Sequence, residues 1–280
     1  MLNWIDAVQQ SPDLAGLSSL LNEVPLGALP LSGGLTNRAW RVLTPSHGWV
    51  IWRANSSLCQ SFDISRDNEA EVLNSVAGHL PTNKVIARGP KGIALSWCNG
   101  IPVSQLDDHS KVIALLANIH TIQPISQVRR FDYQEKVDHY WSQLDDSVLK
   151  RRFRPIYESL RTLPKLSCAQ QALCHFDFGI HNLVQIETGL AVIDWEYAAI
   201  ASPVLDLTMT LDMLQMDVVT GIELYKQHQP TIDSRSWQKD VEIWQRHSQM
   251  MAMLWYLLAA QVWQDDGFLV EAEAIYLRLC

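Results

Sequence analysis

The spacing of apolar residues changes along this chain, and that change most limits the fold it can adopt. Before residue 98, short strand-like runs at 39–43 and 49–53, and again at 85–88 and 93–98, flank segments rich in Gly and Pro. Such pairs predict β-hairpins. Beyond residue 98, apolar residues recur mainly at three- and four-residue steps, which predicts helices. The chain is therefore predicted to be α+β, with two domains over 1–98 and 99–280.

Several helices can be placed from this pattern. The predicted ranges are 3–22, 66–80 ended by Pro81, Ser110 to His120 with Ser110 as N-cap, 133–144, and a long apolar stripe over 241–262. Within the helical part, the runs 183–186 and 190–193 are joined by a Gly-containing turn. They predict one small hairpin among the helices.

Composition excludes several functional classes. The net charge of −8 is unfavourable for nucleic-acid binding, which requires clustered cations. The longest apolar stretch, 250–260, is too short to span a bilayer, so no membrane partner is predicted. The five cysteines form no CxxC pair, and the N-terminus lacks a basic, apolar leader. These features predict free thiols and a cytoplasmic location, and they leave the oligomeric state undetermined.

The polar residues around the small hairpin suggest a chemistry. Asp177 and Asn182 lie five residues apart in a Gly-containing loop before the hairpin, and Asp194 follows its second strand. A hairpin brings its two ends together, so Asn182 and Asp194 are expected to meet. Amide and carboxylate oxygens suit magnesium, and Asp177 is placed to act as a base. Phosphoryl transfer needs such a base and such metal ligands.

The sequences of these segments resemble the motifs of a known family. His175-Phe-Asp177 with Asn182, and Val192-Ile-Asp194-Trp-Glu-Tyr-Ala198, resemble the aminoglycoside phosphotransferase and choline kinase family, most closely bacterial thiamine kinases and choline kinases. The resemblance extends over nearly the whole chain. It implies a protein-kinase-like bilobal fold, with an N-terminal β-sheet lobe that clamps ATP and a mainly helical C-terminal lobe. The implied activity is ATP-dependent phosphorylation of a small alcohol.

The resemblance also implies residue roles. Asp177 matches the catalytic base, His175 a histidine that orders the loop through hydrogen bonds, and Asn182 and Asp194 the Mg²⁺ ligands. The turn that covers the nucleotide phosphates is matched by Ser32, Gly33, Gly34 and Asn37. Glycine there would allow backbone N–H groups to approach phosphate oxygens.

The phosphate-binding cation departs from the kinase pattern. Protein kinases carry a Lys on the strand after the Gly-rich loop, whereas this chain carries Arg53. Glu69 shares a face of the predicted 66–80 helix with apolar residues, and a carboxylate on such a face needs a cation. Glu69 is therefore predicted to pair with Arg53. An alternative interpretation is that Glu69 only favours a helix N-terminus.

The acceptor pocket is less readable from the sequence. Aromatic faces bind cationic groups, which thiamine and choline both carry beside a primary alcohol. Trp141, Trp237, Trp244, Trp255 and Trp263 lie in the helical part, although Trp244 and Trp255 fall on the apolar stripe and are equally suited to a core. Glu196, two residues after Asp194, is a candidate to balance a cationic substrate. Thiamine is the first choice, followed by choline or ethanolamine and then an aminoglycoside or a sugar.

Two functions of other classes remain open. His175, Asp177 and His181 form a string that could bind zinc or iron in a metallohydrolase. Alternatively, the Arg53 substitution could mark a catalytically silent pseudokinase that acts as a binding module. The chain contains neither GxxxxGK[ST] nor GxGxxG, which argues against a P-loop kinase and a Rossmann enzyme.

Overall fold

The computed structural model describes residues 1–31, 39–124 and 127–280. In chain order the strands are β1 (Leu2–Asn3), β2 (Gly27–Pro30), β3 (Trp40–Thr44), β4 (Gly48–Ala54), β5 (Val85–Gly89), β6 (Gly92–Ser96), β7 (Ile101–Pro102), β8 (Ala172–Cys174), β9 (Leu183–Ile186), β10 (Gly189–Val192) and β11 (Ala199–Ala201). The helices are α1 (Trp4–Gln10), α2 (Ala15–Leu21), α3 (Ser57–Ser61), α4 (Arg66–Val76), α5 (Ser110–Ile119), α6 (Tyr133–Gln143), α7 (Val148–Leu160), α8 (Pro203–Leu214), α9 (Val218–Lys226), α10 (Ser234–Trp263) and α11 (Asp266–Leu279). Short 3-10 turns occupy Pro12–Leu14 and Ile180–Asn182.

The chain divides into two compact units. The first unit consists of Met1–Asp107, Ile122–Arg129 and Gly179–Ala198. The second unit consists of Asp108–Thr121, Arg130–Phe178 and Ala199–Cys280. Antiparallel sheet dominates the first unit and helix the second, so the predicted α+β class is confirmed. The division of the chain into 1–98 and 99–280 stays a prediction.

Two antiparallel sheets form the framework of the first unit. The larger has the strand order β1-β2-β3-β4-β6-β5, and it contains both hairpins predicted before residue 98. Gly48 and Gly92 have φ values of 64° and 146°, which glycine adopts at little cost where each hairpin turns. The smaller sheet, β10-β9-β7, contains the predicted hairpin that precedes Asp194.

Alternation along β4 gives the large sheet two different faces. Val50 and Trp52 point to one face, where they join the buried cluster formed with α1 and α2. The Trp52 indole also donates a hydrogen bond to the carbonyl oxygen of Asp13 at 3.2 Å. Arg53, the next residue, therefore lies on the opposite face, where it is buried for a different reason described below.

Three helix predictions differ from the structure in detail. The helix predicted over 3–22 is interrupted at Pro12, which has no N–H group to continue the hydrogen-bond ladder. The helix predicted over 66–80 ends at Val76, because Ala77 leaves the helical conformation with a ψ of 127° and Gly78 follows with a φ of 83°. The helix predicted from Ser110 begins there, but Ser110 is its first helical residue, and the predicted N-cap role of Ser110 is wrong. His109 occupies the N-cap position without a side-chain capping bond, and the N–H of Ser110 donates to the Asp108 carboxylate at 3.0 Å.

The long helix α10 organises the second unit. It contacts α6, α7, α8, α9 and α11, as expected for the predicted apolar stripe. Trp244, Met250, Leu254 and Leu258 are buried along it, and burial of each such side chain contributes about 1.5–3 kcal/mol. In the described ranges, no helix has both the length and the apolar character that crossing a membrane requires.

Candidate active site

A buried carboxylate fixes the loop that follows β8. Asp206 on α8 accepts hydrogen bonds from the backbone N–H groups of His175 at 2.6 Å and Phe176 at 2.8 Å. Phe176 adopts a φ of 64°, which costs a non-glycine residue about 1–3 kcal/mol. Hydrogen bonds to a charged acceptor contribute about 1.5–3 kcal/mol each and offset this cost. The loop is thereby held in a conformation in which Asp177 is half-buried.

His175 contacts the loop that it was predicted to order. Its ring is fully buried, and its Nδ1 accepts the backbone N–H of Asp177 at 3.3 Å. A neutral imidazole that accepts at Nδ1 carries its proton on Nε2. This placement is compatible with a positioning role for His175, which stays a prediction.

Asp206 has further partners that the sequence analysis missed. His120, at the C-terminal end of α5, has its Nε2 3.1 Å from Asp206 Oδ2 and its Nδ1 2.8 Å from the Tyr225 hydroxyl. All three side chains are buried. They lie on three different helices, so helical spacing within one segment could not relate them.

The metallohydrolase alternative gains no support from the side chains that the structure groups together. Within the described ranges, the cluster of potential metal ligands is His120, Cys174 and Asp206, whose ligand atoms lie within 4.8 Å of one another. None of these belongs to the string of His175, Asp177 and His181. The Asp206 carboxylate is already engaged by two backbone N–H groups, which marks the cluster as a structural support for the loop.

Four aromatic side chains gather where α10 meets α11. Trp255 lies 5.3 Å from Tyr256, 6.1 Å from Trp263 and 6.1 Å from Phe268, measured between ring centroids. Trp263 and Phe268 are 5.5 Å apart, and all four rings are half-buried. We call these four residues the aromatic group. Rings that remain partly open to solvent at such distances can surround a cation.

The aromatic group lies within electrostatic reach of Asp177. The pKa of the Tyr256 hydroxyl is raised, first by burial and then by the negative charges of Glu271 and Asp177. The second unit therefore places the predicted base in the electrostatic environment of the aromatic group. Two anionic side chains in this environment favour a cationic ligand.

The other tryptophans of the helical part have structural roles. Trp237 and Trp244 are buried, and the Trp244 indole donates to the carbonyl oxygen of Leu205 at 3.0 Å. Trp141 stacks on Tyr157 with ring centroids 4.3 Å apart. Of the five tryptophans considered from the sequence, Trp255 and Trp263 thus belong to the aromatic group.

In the first unit, Arg53 is surrounded by carboxylates. Its Nη1 donates to Glu69 Oε1 at 2.8 Å, so the predicted Arg53–Glu69 ion pair is present. The same nitrogen donates to Asp194 Oδ1 at 2.8 Å, and Nη2 donates to Glu196 Oε2 at 2.6 Å. The arrangement explains why an arginine can be buried on this face of β4.

A second arginine completes the arrangement. Arg66, the first residue of α4, donates from Nη1 to Glu69 Oε2 and to Glu196 Oε2, the latter at 3.1 Å. Arg53, Glu69, Arg66 and Glu196 therefore form a closed loop of alternating charge, which we call the charge ring. Nothing in the sequence singles out Arg66, and Glu196 is predicted from the sequence only as a substrate contact. A role for Glu196 in acceptor binding stays a prediction.

Burial and neighbouring opposite charges act in opposite directions on the pKa values of Arg53 and Glu196. Burial alone would lower the pKa of Arg53, but Asp194, Glu69 and Glu196 raise it well above its usual value. Burial raises the pKa of Glu196, and the two arginines oppose this shift. With Asp194 included, two cations face three carboxylates, which leaves one negative charge in excess.

Asn182 and Asp194 flank the β9–β10 hairpin as predicted. Leu183 pairs with Val192, and the N–H of Ile193 donates to the carbonyl oxygen of Asn182 at 3.0 Å. Asp194 adopts a φ of 64°, and its side chain is 31% exposed, whereas Asn182 is buried. A partly exposed carboxylate that follows a backbone segment hydrogen-bonded to Asn182, in a cluster with one excess negative charge, fits a hard divalent cation such as Mg²⁺. The predicted phosphate-covering residues Ser32, Gly33, Gly34 and Asn37 lie outside the described residues.

Comparison with known proteins decides the family. The sequence matches the model of the phosphotransferase enzyme family, APH, over residues 27–238. The chain belongs to this family. It is therefore an enzyme, a small-molecule kinase that transfers a phosphoryl group, and the resemblance noted in the sequence is confirmed. No curated protein sequence matches the chain.

Solved structures confirm the kinase-like fold. Choline kinase LicA from Streptococcus pneumoniae has a TM-score of 0.71 at 18% identity, covering 97% of this chain and 98% of that chain. Choline kinase from Cryptosporidium parvum has a TM-score of 0.67 at 16% identity, with coverages of 90% and 87%. The gentamicin complex of APH(2")-IIa has a TM-score of 0.64 at 14% identity, covering 95% of each chain. Other structures of this fold contain AMP or GDP, which supports nucleotide binding by the fold.

Proposed function

We propose that this enzyme transfers the γ-phosphate of ATP, in the presence of Mg²⁺, to the hydroxyl of a small cationic alcohol. The observation that carries the proposal is the aromatic group, four half-buried rings in the unit that also contains Asp177, whose negative charge acts on the Tyr256 hydroxyl. It supports an acceptor site in which a candidate base and a surface that suits a cation belong to one compact unit. A cationic alcohol presents both features that this arrangement would recognise.

Asp177 is proposed to act on the acceptor. Its carboxylate would accept the proton of the acceptor hydroxyl while the hydroxyl oxygen forms a bond to the γ-phosphorus. The bond from that phosphorus to the β–γ bridging oxygen breaks, and ADP leaves with the electron pair. Asp206 supports this step by fixing the backbone immediately before Asp177. Positioning of the hydroxyl is expected to supply a large part of the rate.

The first unit is proposed to hold the nucleotide. Asn182 and Asp194 would hold Mg²⁺, which when bound neutralises charge on the phosphates. Arg53 would donate its N–H groups to a phosphate while Glu69 keeps it oriented. An arginine presents a planar fork of donors to phosphate, so its replacement of the usual lysine is chemically reasonable. Ser32, Gly33, Gly34 and Asn37 stay proposed to cover the phosphates.

Thiamine is the first candidate acceptor. Its cationic thiazolium ring would suit the aromatic group, and its primary alcohol would suit Asp177. The sequence around Asp194 also resembles that of thiamine kinases. Choline or ethanolamine is the second candidate, because structures similar over most of the chain include choline kinases. An aminoglycoside is the third, since a gentamicin complex has the same fold.

The proposal is tested by ADP release with Mg–ATP across thiamine, choline, ethanolamine, aminoglycosides and methylthioribose. We expect turnover with a cationic alcohol, and loss of at least about a hundredfold in kcat in Asp177→Asn with nucleotide binding retained. The matched control is Asp146→Asn, which changes an exposed aspartate in the same unit. Near-normal turnover in Asp177→Asn would contradict the role of this residue. Binding of Mg–ATP without turnover on any of these alcohols would contradict the proposed acceptor class and direct the search to an acceptor outside the panel.

A further inference from the structure

Arg66 occupies a position that local structure does not explain. It is the first residue of α4, where the helix dipole disfavours a cation. Its side chain is only 1% exposed, and burial of a charge costs several kcal/mol unless close partners compensate. Ser65 already caps the helix by accepting the N–H of Asn68 at 3.2 Å. The reason for a buried arginine here must therefore lie in its partners.

The partners of Arg66 are the same two carboxylates that hold Arg53. Glu69 offers Oε1 to Arg53 and Oε2 to Arg66. Glu196 uses Oε2 for both guanidinium groups, at 2.6 Å from Arg53 and 3.1 Å from Arg66. Each carboxylate is therefore fixed from two sides, and Arg53 lies between two acceptors that cannot turn away without losing Arg66.

Arg66 also sets the charge balance. The charge ring is neutral as a whole, so the negative charge in excess is that of Asp194, the most exposed carboxylate of the cluster. Without Arg66, Arg53 would face three carboxylates alone. Two negative charges would then be in excess, and the guanidinium of Arg53 would be held more firmly by its own carboxylates.

We infer that Arg66 is a positioning residue for the nucleotide. It fixes Glu69 and Glu196 so that Arg53 keeps its orientation and can donate to a phosphate. This inference rests on the proposed function, in which Arg53 binds the nucleotide. Arg66 acts through Arg53, and no contact between Arg66 and the substrate is needed.

The test measures Mg–ADP binding by calorimetry without acceptor, and KM values for both substrates, in wild type and three variants. Arg66→Met should weaken Mg–ADP binding and raise the KM for Mg–ATP by at least about tenfold, with the acceptor KM unchanged. Arg66→Lys, which keeps the charge without the planar fork, should recover part of the affinity. Arg66→Met combined with Glu196→Gln restores the charge balance and should bind Mg–ADP more tightly than Arg66→Met alone.

The matched control is Arg88→Met. Arg88 donates to Glu71, also on α4, but its side chain is 45% exposed and lies outside the charge ring. Its loss should leave Mg–ADP binding unchanged. Circular dichroism establishes that each variant is folded, and if Arg66→Met alone does not fold, the charge-balanced double variant and Arg66→Lys carry the comparison.

Mg–ADP binding by the wild type distinguishes failure of the inference about Arg66 from failure of the proposed function. If wild type binds Mg–ADP and folded Arg66→Met binds it equally well, the inference about Arg66 is overturned while the proposed function stands. The same conclusion follows if the acceptor KM rises as much as the nucleotide KM. If wild type does not bind Mg–ADP, the proposed function fails and the inference fails with it.

Discussion

Replacement of Arg53 by methionine should strengthen metal binding and weaken nucleotide binding. Arg53 Nη1 lies 2.8 Å from Asp194 Oδ1, so the guanidinium already supplies positive charge to the proposed metal ligand. A divalent cation at Asp194 must share this carboxylate with Arg53 or displace it. Arg53→Met removes the competing cation and leaves the neighbouring carboxylates in place.

The size of the effect follows from the charges. A divalent ion and a guanidinium about 5 Å apart repel each other by about 1.7 kcal/mol even at the dielectric constant of water. Loss of this repulsion corresponds to metal binding that is at least roughly tenfold tighter. The nucleotide, in contrast, loses hydrogen bonds to a charged donor worth about 1.5–3 kcal/mol, which raises its KM roughly ten- to a hundredfold.

Titration with Mn²⁺ followed by electron paramagnetic resonance measures the metal affinity without nucleotide, and steady-state kinetics gives the KM for Mg–ATP. Arg129→Met is a suitable control, because Arg129 pairs with Asp63 in the same unit and lies outside the charge ring. Circular dichroism must show that Arg53→Met is folded. An unchanged or weaker Mn²⁺ affinity in the folded variant would show that Arg53 does not compete with a metal ion for Asp194.

Two further predictions concern the second unit. Trp263→Leu should raise the acceptor KM by roughly tenfold and leave the Mg–ATP KM unchanged. The control Trp141→Leu, which lies outside the aromatic group, should change neither KM. Equal effects of the two variants would argue against a cation site at the aromatic group. Asp206→Asn weakens the acceptor of the His175 and Phe176 N–H groups, so kcat should fall at least about tenfold with Mg–ADP affinity retained. Unaltered kcat in folded Asp206→Asn would show that the loop before Asp177 does not depend on this carboxylate.

The elements that local spacing controls were predictable. The hairpins β3–β4, β5–β6 and β9–β10 follow from short apolar runs separated by turn residues. The pairing of Glu69 with Arg53 could be predicted because one carboxylate on an apolar helix face requires a cation. The meeting of Asn182 with the segment before Asp194 follows from hairpin geometry alone.

The rest of the site depends on contacts between distant segments. Arg66 and Glu196 are separated by 130 positions, and no spacing rule relates residues so far apart. The three helices that carry His120, Asp206 and Tyr225 likewise contribute one polar residue each, and each residue alone is unremarkable in the sequence. Such networks become visible only when the packing of the helices is known.

Helical spacing could not distinguish the tryptophans of the core from those that remain partly accessible. Helical spacing places Trp244 and Trp255 on one stripe, yet Trp244 is buried and Trp255 is half-buried in the aromatic group. A stripe indicates which residues face the interior on average. It does not indicate which rings pack against Phe268 of α11 and remain partly accessible to solvent. The grouping of Trp255 with Trp263 therefore required the structure, whereas the reaction class was predicted from Asp177, Asn182 and Asp194.

Phosphorus NMR of the products shows whether the phosphoryl group of ATP reaches the hydroxyl of an alcohol. The enzyme is incubated with Mg–ATP and each cationic alcohol, and the phosphate species are identified. We expect a phosphate monoester of one alcohol in an amount equal to the ADP formed, and no such monoester in the reaction of Asp177→Asn. ADP accompanied only by inorganic phosphate would show hydrolysis without transfer, so the enzyme would not be a kinase of these alcohols.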